Sequence, residues 1–377
     1  MKITRVETIP VEVPLKEGLT TKTAGGEHVV SPYVVVRVHT DAGLVGLGEA
    51  TLSPRWSGET SPGCVAAIEG LIGPAITGQD PIAITALRRT IDGTIRHNPF
   101  AKAAVEMALW DIAGKAAGQP VYQLLGGKVK EELPMKMVVG AFPVDQAVAL
   151  AQRFLDWGAT CLKVKVGLDP TTDIARVHAV REAAGPDIPI GIDANQGWDL
   201  ATARRCLADM GDLLFAEQPV PTTDPRDLAR LRGDTRIPIM ADESVFTLQD
   251  ARRLTELGAC DILSVYPGKH AGIAATREIA HVARAAGVVC SMGSNLELGI
   301  ATAAMLHLAA AEPSLDDARY PGDYLGPLYH QADLLTEPLQ LGPSVARVPD
   351  GPGLGVELDE DQLERYRDTS GRATQLG

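Results

Sequence analysis

The sequence predicts an α/β chain in two parts: an α+β region over roughly the first 125 residues, then a parallel (β/α) barrel. Three observations carry this. From residue 134 onward, short apolar runs that end in a polar residue alternate with helical stretches that close near glycines. The polar residues at six successive run ends, Lys165, Asp193, Glu217, Asp242, Tyr266 and Ser291, are separated by 28, 24, 25, 24 and 25 residues. Reactive side chains stand at the ends of many different runs, as around a barrel mouth, whereas a doubly wound sheet would gather them at one switch point.

Ile3, Val6, Thr8 and the stretch 10–14 predict an extended opening strand. Residues 33–40 (Tyr-Val-Val-Val-Arg-Val-His-Thr) and 44–50 predict two more, joined by the hairpin signal Asp41-Ala42-Gly43. Gly43, Gly46 and Gly48 have the wrong spacing for a phosphate loop and lead into no helix, so they read as a strand with small residues. Two long polar loops, 16–29 and 53–63, contain glycine, and loops of that length in a compact domain are usually functional. The clearest helix is 101–117, with Val105, Ala108, Leu109 and Ile112 on one face and Gly118 and Pro120 to stop it. The barrel runs follow at 135–140, 161–166, 188–193, 213–217, 237–242, 262–266 and 288–291. Beyond residue 340, the Gly- and Pro-rich stretch 341–358 predicts a strand returning to the first part.

Composition narrows the function. The 377 residues carry 35 basic and 48 acidic side chains, a net charge of −13, so wholesale binding to nucleic acid or an acidic membrane is disfavoured. At 45% hydrophobic and a mean hydropathy of +0.03 the chain is an ordinary globular protein, with no apolar run long enough to span a bilayer. The five cysteines form no Cys-x-x-Cys pair and read as buried thiols. The opening residues alternate polar and apolar and build no secretory core, so a cytoplasmic enzyme is expected.

Three successive run ends present a carboxylate: Asp193 in Gly-Ile-Asp-Ala-Asn, Glu217 in Phe-Ala-Glu-Gln-Pro and Asp242 in Met-Ala-Asp-Glu-Ser. On a barrel these converge and repel unless a cation sits among them. Hard oxygen ligands in this number suit Mg²⁺, with Mn²⁺ as a substitute. The alternative is that each merely caps the next helix. One run earlier, Lys163 and Lys165 lie two residues apart and so share a strand face. Pointing inward, one of them could act as a base.

Lys163-x-Lys165, Asp193-x-Asn195, Glu217-Gln-Pro219 and Asp242-Glu243-Ser244 resemble the muconate lactonizing branch of the enolase superfamily, as does the run 108–127. The resemblance covers nearly the whole chain. It implies an α+β capping domain (1–128), a (β/α)₇β TIM-like barrel (129–340) and a C-terminal segment (341–377) that returns to the cap. It further implies Mg²⁺ on Asp193, Glu217 and Asp242, and Lys165 as acid/base with Lys163 tuning it. The two N-terminal loops would close over the mouth and choose a small carboxylate substrate, and the protein would be a homo-oligomer, dimer or octamer. The Lys-x-Lys strand and an Asp as third ligand point away from the mandelate racemase and sugar-acid dehydratase branches.

The chain departs from that branch at one position. A second lysine is expected at the end of the sixth barrel strand, where this sequence has Tyr266, with Lys269 three residues on. Either Lys269 swings in as a substitute, or Tyr266 serves as a neutral donor and Lys165 handles every proton transfer. The second reading expects Tyr266→Phe to harm turnover more than Lys269→Ala. Asn295 and Glu297 resemble the stretch where the family places an acidic residue, although Glu297 also suits a helix cap. Arg55 and Trp56 are candidates to grip a distal substrate carboxylate, and Asn195 completes the substrate-facing set. The expected activity is proton abstraction α to a carboxylate, most like a muconate cycloisomerase. The alternatives are a syn-dehydratase using Lys165 alone, a racemase or epimerase if Lys269 replaces the missing lysine, and a degenerate protein that binds metal and carboxylate without turnover.

Overall fold

The structure, a computed structural model, describes residues 1–371, so the end of the C-terminal segment lies outside the described residues. The chain opens with β1 (Ile3–Pro14), a small hairpin of β2 (Thr21–Thr23) and β3 (Gly26–His28), then β4 (Val30–Thr40) and β5 (Val45–Thr51). β1, β4 and β5 form an antiparallel sheet in that order, and β2 pairs only with β3. Thus the first long loop holds a hairpin of its own. The second is shorter than expected, because Thr60 caps α1 (Ser61–Ala67) through a bond from Gly63 N. A π-helical turn, Ile68–Ile72, leads into α2 (Gly73–Ile76) and α3 (Ile84–Thr94), followed by α4 (Pro99–Ala117) and α5 (Val121–Leu124).

α4 is buried along nearly its whole length, not on one face only. β5 lies so close to it that a Cβ at Gly46 would stand 2.1 Å from Ala108 O, and one at Gly48 1.8 Å from Ala104 O. That close approach is what the two glycines are for.

After β6 (Leu133–Pro134) the barrel alternates regularly: β7 (Met137–Val139), α6 (Val144–Trp157), β8 (Leu162–Lys165), α7 (Pro170–Ala184), β9 (Ile190–Asp193), α8 (Leu200–Asp209), β10 (Ala216–Glu217) and α9 (Pro225–Asp234). It continues with β11 (Ile239–Ala241), α10 (Leu248–Glu256), β12 (Ile262–Val265), α11 (Ile273–Ala285), β13 (Val289–Met292) and α12 (Gly299–Ala311). β7 to β13 form one parallel sheet in chain order. Residues 314–323 close it. Leu315 bridges Cys290 of β13 and Gly322 bridges Met135 beside β7, both in parallel. The architecture is the α/β (β/α)₇β barrel with an N-terminal α+β cap. The last elements are α13 (Gly326–Tyr329), β14 (Val345–Ala346), which pairs with β6, and α14 (Glu360–Arg365). Beyond α14 the chain runs beside β1, with Asp368 N bonded to Pro10 O at 2.9 Å.

Two buried cap-domain glutamates clip the cap to the barrel. Glu106 on α4 accepts from Ile273 N and Ala274 N at 2.8 and 3.0 Å. Glu49 on β5 accepts from Leu298 N and Ala301 N at 2.7 and 3.1 Å. These are the first turns of α11 and α12, which have no side-chain cap from their own flanking residue. Carboxylates from the other domain supply what the helix ends lack. All five cysteines are free and buried, and no helix among the described residues is long and apolar enough to cross a membrane.

Candidate active site

The barrel register brings the predicted residues together. Lys165 is the Cα partner of Asp193, and Asp193 of Glu217. Glu217 in turn pairs with Met240, two residues before Asp242. The three acids are free for chemistry because other residues cap the helices that follow them: Asp199 for α8, Asp224 for α9 and Thr247 for α10. Beyond the strand ends the backbone turns through left-handed conformations at Asn195 (φ 40°), Gln196 (φ 70°) and Gln218 (φ 33°), a strain that persists where surrounding bonds fix it. Gln218 Oε1 accepts from Asp242 N and Ser244 N at 3.0 and 3.2 Å, which fixes the adjacent strand end.

A cavity of about 120 Å³ sits over these ends. Lys163, Lys165, Asp193, Asn195, Glu217 and Asp242 all line it, as do Arg55 and Trp56 from the cap and Asn295 from the loop after β13. His28 at the end of β3 reaches it as well. Burial and the charge of Lys165 push the His28 imidazole down to about 4, so it faces the cavity neutral near pH 7.

Each acid meets an ammonium group. Lys165 Nζ donates to Asp193 Oδ2 at 2.6 Å and to Asn195 Oδ1 at 2.9 Å. Lys163 Nζ donates to Glu217 Oε2 at 2.9 Å and to Asp323 Oδ2 at 2.6 Å. Burial opposes a charge on Lys163, but Asp323, Glu217 and Asp193 outweigh it and hold the amine protonated well above its ordinary range. Glu217 is likewise desolvated, yet Lys163, Lys136 and Lys165 draw it down to about 2. Asp193 moves upward, through burial and the neighbouring charge of Glu217.

Three predicted residues sit elsewhere than at the cavity. Lys269 is fully buried behind Asp242, donating to Asp242 Oδ1 at 2.5 Å, Ser264 O at 2.8 Å and Asp242 O at 3.0 Å. Swinging in as a substitute base would break all three bonds. Tyr266 is 1% exposed, its hydroxyl has no hydrogen-bond partner, and the indole of Trp56 lies 6.2 Å from its ring. Glu297 turns away and ties down its own loop, accepting from Ser294 Oγ at 2.5 Å and Asn295 N at 3.0 Å, and burial raises its carboxyl to about 7.

Two acidic neighbours escaped the sequence reading. Asp323 closes the barrel beside Lys163 and also meets Lys136 at 3.3 Å. Projecting the 24–28-residue beat from Ser291 lands at 315–319, short of it, because Pro321-Gly322 extend the closing segment. Glu243 was visible only as part of a quoted motif. Its Oε1 accepts from Asn195 Nδ2 at 3.0 Å and Trp56 Nε1 at 3.2 Å, while Oε2 is buried without a partner. Burial, then the charges of Asp242 and Asp193, push it up to about 8.

The donor set fits a hard divalent cation: all-oxygen, from adjacent strand ends, around one cavity. As the lysines stand, they take up the carboxylate oxygens, and among the described residues no three such groups already enclose an ion-sized space.

Comparison with known proteins decides the family. Residues 4–126 match the mandelate racemase / muconate lactonizing enzyme N-terminal domain, and residues 146–362 match the enolase C-terminal domain-like family. The chain belongs to the mandelate racemase/muconate lactonizing enzyme family. Within this enolase-superfamily family it is 34% identical to muconate cycloisomerase 1 of Rhodococcus opacus, over 97% of this chain and 98% of that one. It is 32% identical to the N-succinyl-L-Arg/Lys racemase of Bacillus cereus, over 97% of each chain. The structure of a dipeptide epimerase from Enterococcus faecalis, complexed with Mg and the dipeptide L-Leu-L-Tyr, superposes with a TM-score of 0.90 at 32% identity, covering 95% of this chain and 100% of that one. The chain is thus an enzyme of the muconate lactonizing branch, and its relatives isomerise by several routes.

Proposed function

We propose that this enzyme removes the proton α to the carboxylate of a small substrate, with Lys165 as its single base, in a reaction most like that of a muconate cycloisomerase. The observation that carries this is the cavity lining: Lys165 lines it together with the three acids, bonded to Asp193, while Tyr266 and Lys269 do not line it. Asp193, Glu217 and Asp242 would hold Mg²⁺, or Mn²⁺ in its place, and the bound cation supplies positive charge against the enediolate.

The protein's own residues do the rest. Lys165 Nζ takes the α-proton on its lone pair, and the C–H electron pair moves into the substrate carboxylate. Asn195 and Asp193 hold that amine in place through the bonds described above. Lys163, kept charged by Asp323 and Glu217, adds a fixed positive charge beside the site. The ammonium on Lys165 then returns its proton on the same face, or delivers it to a leaving oxygen.

Racemisation needs a base on each face of the α-carbon, and Lys269, the lysine that would replace the missing one, is held behind Asp242 by its three bonds. A syn elimination of water from a small hydroxy acid, by contrast, needs only Lys165. The cavity's small volume favours it as a second reading. A cytoplasmic location and a dimeric or octameric assembly of the chain belong to the same proposal, supported by the family resemblance.

The test is incubation with Mg²⁺ and a carboxylate library in D₂O. The proposal expects α-deuteration with retained configuration, abolished by chelation and restored by Mg²⁺. Exchange accompanied by racemisation would sink the one-base reading.

A further inference from the structure

A second cavity lies where α3 and α4 of the cap meet the starts of α10 and α11. Its volume is about 520 Å³, against about 120 Å³ for the reaction cavity, and the two share no lining residue. Pockets of that size hold metabolite-sized ligands. Two marks of the reaction cavity recur here. Of the seven described non-glycine residues with left-handed backbone, Asn195, Gln196 and Leu296 border the reaction cavity, and His97, Asn98 and Ala271 border the second. Ala271, at φ 63°, lacks the polar side chain that eases this conformation for asparagine. Such strain gathers at active sites and ligand clamps. Each lining also includes a buried polar atom without a partner, Glu243 Oε2 in the first and His270 Nε2 in the second. His270 Nδ1 lies 2.9 Å from Phe246 O, which can only accept, so Nδ1 carries the proton and Nε2 a lone pair. Burial and the charge of Lys269 keep the ring neutral.

The charges on the lining are unequally placed. Arg88 donates to Glu278 through both arms, at 2.9 and 3.3 Å, and Lys102 donates to Asp92 at 3.0 Å. The cations are 18% and 9% exposed, whereas Glu278 and Asp92 are 52% and 58% exposed. An ion pair with so solvated a partner contributes little, so an incoming anion displaces these two acids at small cost. The third acid, Glu106, is buried and occupied by Ile273 N, Ala274 N and Trp110 Nε1, and burial raises its carboxyl. Three helices start at the cavity. Glu59 takes the N–H groups of Phe100 and Ala101 on α4, and Glu106 takes those of α11. In α10 the capping box between Thr247 and Asp250 leaves Leu248 and Gln249 N–H, both on the lining, without an acceptor in the helix. The rest of the wall is apolar, with Ile91, Phe246 and Ile279.

We propose that this cavity is a second ligand site, separate from the reaction cavity, and that it takes a small organic acid with an apolar body. The anionic head lies on Arg88, Lys102 and the start of α10, and the body lies against Phe246, Ile91 and Ile279. The bonds from Glu59 and Glu106 fix the walls before a ligand arrives, so little ordering is needed on binding. The site stands independently of the proton-abstraction reading, because none of the residues given a part in that reaction borders it.

The experiment is calorimetric titration of the full-length, Mg²⁺-loaded protein with 3-phenylpropionate, and with 3-phenylpropanamide, 3-phenylpropylamine and propionate for comparison. The proposal expects 3-phenylpropionate to bind with a Kd of about 1 mM or tighter. The amide, which keeps the body and loses the charge, binds about tenfold more weakly, and so does propionate, which keeps the charge and loses the body. The amine binds no better than the amide. Arg88→Gln weakens 3-phenylpropionate about tenfold, and Ala275→Phe, which fills the space without touching a charge, abolishes its binding. Either variant serves should the other fail to fold. Lys165→Ala, in the reaction cavity, leaves the Kd unchanged. Binding lost in Lys165→Ala but kept in Ala275→Phe would place the acid in the reaction cavity and overturn the proposal. An amide or amine that binds as tightly as the acid overturns the anionic head, and no binding of any probe up to ~10 mM overturns the site itself.

Discussion

Asp323 Oδ2 stands 2.6 Å from Lys163 Nζ, and this pair joins the segment that closes the barrel to the strand that carries Lys165. Both side chains are almost completely buried. Removing one charge of such a pair leaves the other unpaired in a poor solvent for ions. Asp323→Asn is expected to lower stability by about 3 kcal/mol and to reduce turnover, because Lys163 loses the partner that holds its position. Urea unfolding and steady-state rates check this. A variant as stable and active as the wild type would show the pair to be incidental.

Lys269 and Tyr266 are predicted to rank opposite to the sequence expectation. Lys269→Met strips Asp242 of its ammonium partner and takes one donor from each of the carbonyls of Asp242 and Ser264, so stability falls by about 3 kcal/mol and metal-dependent activity falls with it. Tyr266→Phe deletes a buried hydroxyl that bonds to nothing, so both stability and turnover stay within about threefold of the wild type. Measured side by side, a larger loss for Tyr266→Phe would return the second proton donor to Tyr266.

Glu49 makes the clip between cap and α12 sensitive to pH. Burial, partly offset by the bonds from Ala301 N and Leu298 N, raises its carboxyl from 4.5 to about 8. Between those values the unfolded chain releases a proton that the folded chain keeps. The stabilisation is therefore complete below pH 4.5 and is lost as pH rises to about 8. Thermal melts across that window should show the wild type losing stability relative to Glu49→Gln as pH increases. Parallel curves would contradict the assignment.

Gly48→Ala tests how tightly β5 lies on α4. Its Cβ would meet backbone at 1.8 Å, with no flexible side chain to give way. A loss of about 3 kcal/mol or more is expected, large for one methyl group. Chemical denaturation measures it, and a near-neutral result would mean that the sheet can shift off the helix.

The periodic part of the molecule was legible from sequence. Strand, polar end, helix and glycine recur at nearly constant spacing, so Asp193, Glu217 and Asp242 announce themselves as neighbours. The closing strand was not legible, because Pro313, Asp316, Asp317, Pro321 and Gly322 leave no apolar alternation to read, and Asp323 was hidden with it. Nor could spacing show that Lys269 faces Asp242 from behind or that Trp56 covers Tyr266. Those placements depend on how the cap's loops dock on the barrel, which no local pattern encodes. The extended burial of α4 was hidden for a related reason: its Ala-rich sequence suits either a surface or a core.

The sharpest single measurement is α-proton exchange in D₂O by Lys165→Ala against the wild type, each with saturating Mg²⁺ and the same small carboxylate. The account predicts deuterium at the α-carbon with the wild type and none with the variant, which should still fold and still bind the metal. Exchange persisting in Lys165→Ala at the wild-type rate would contradict it.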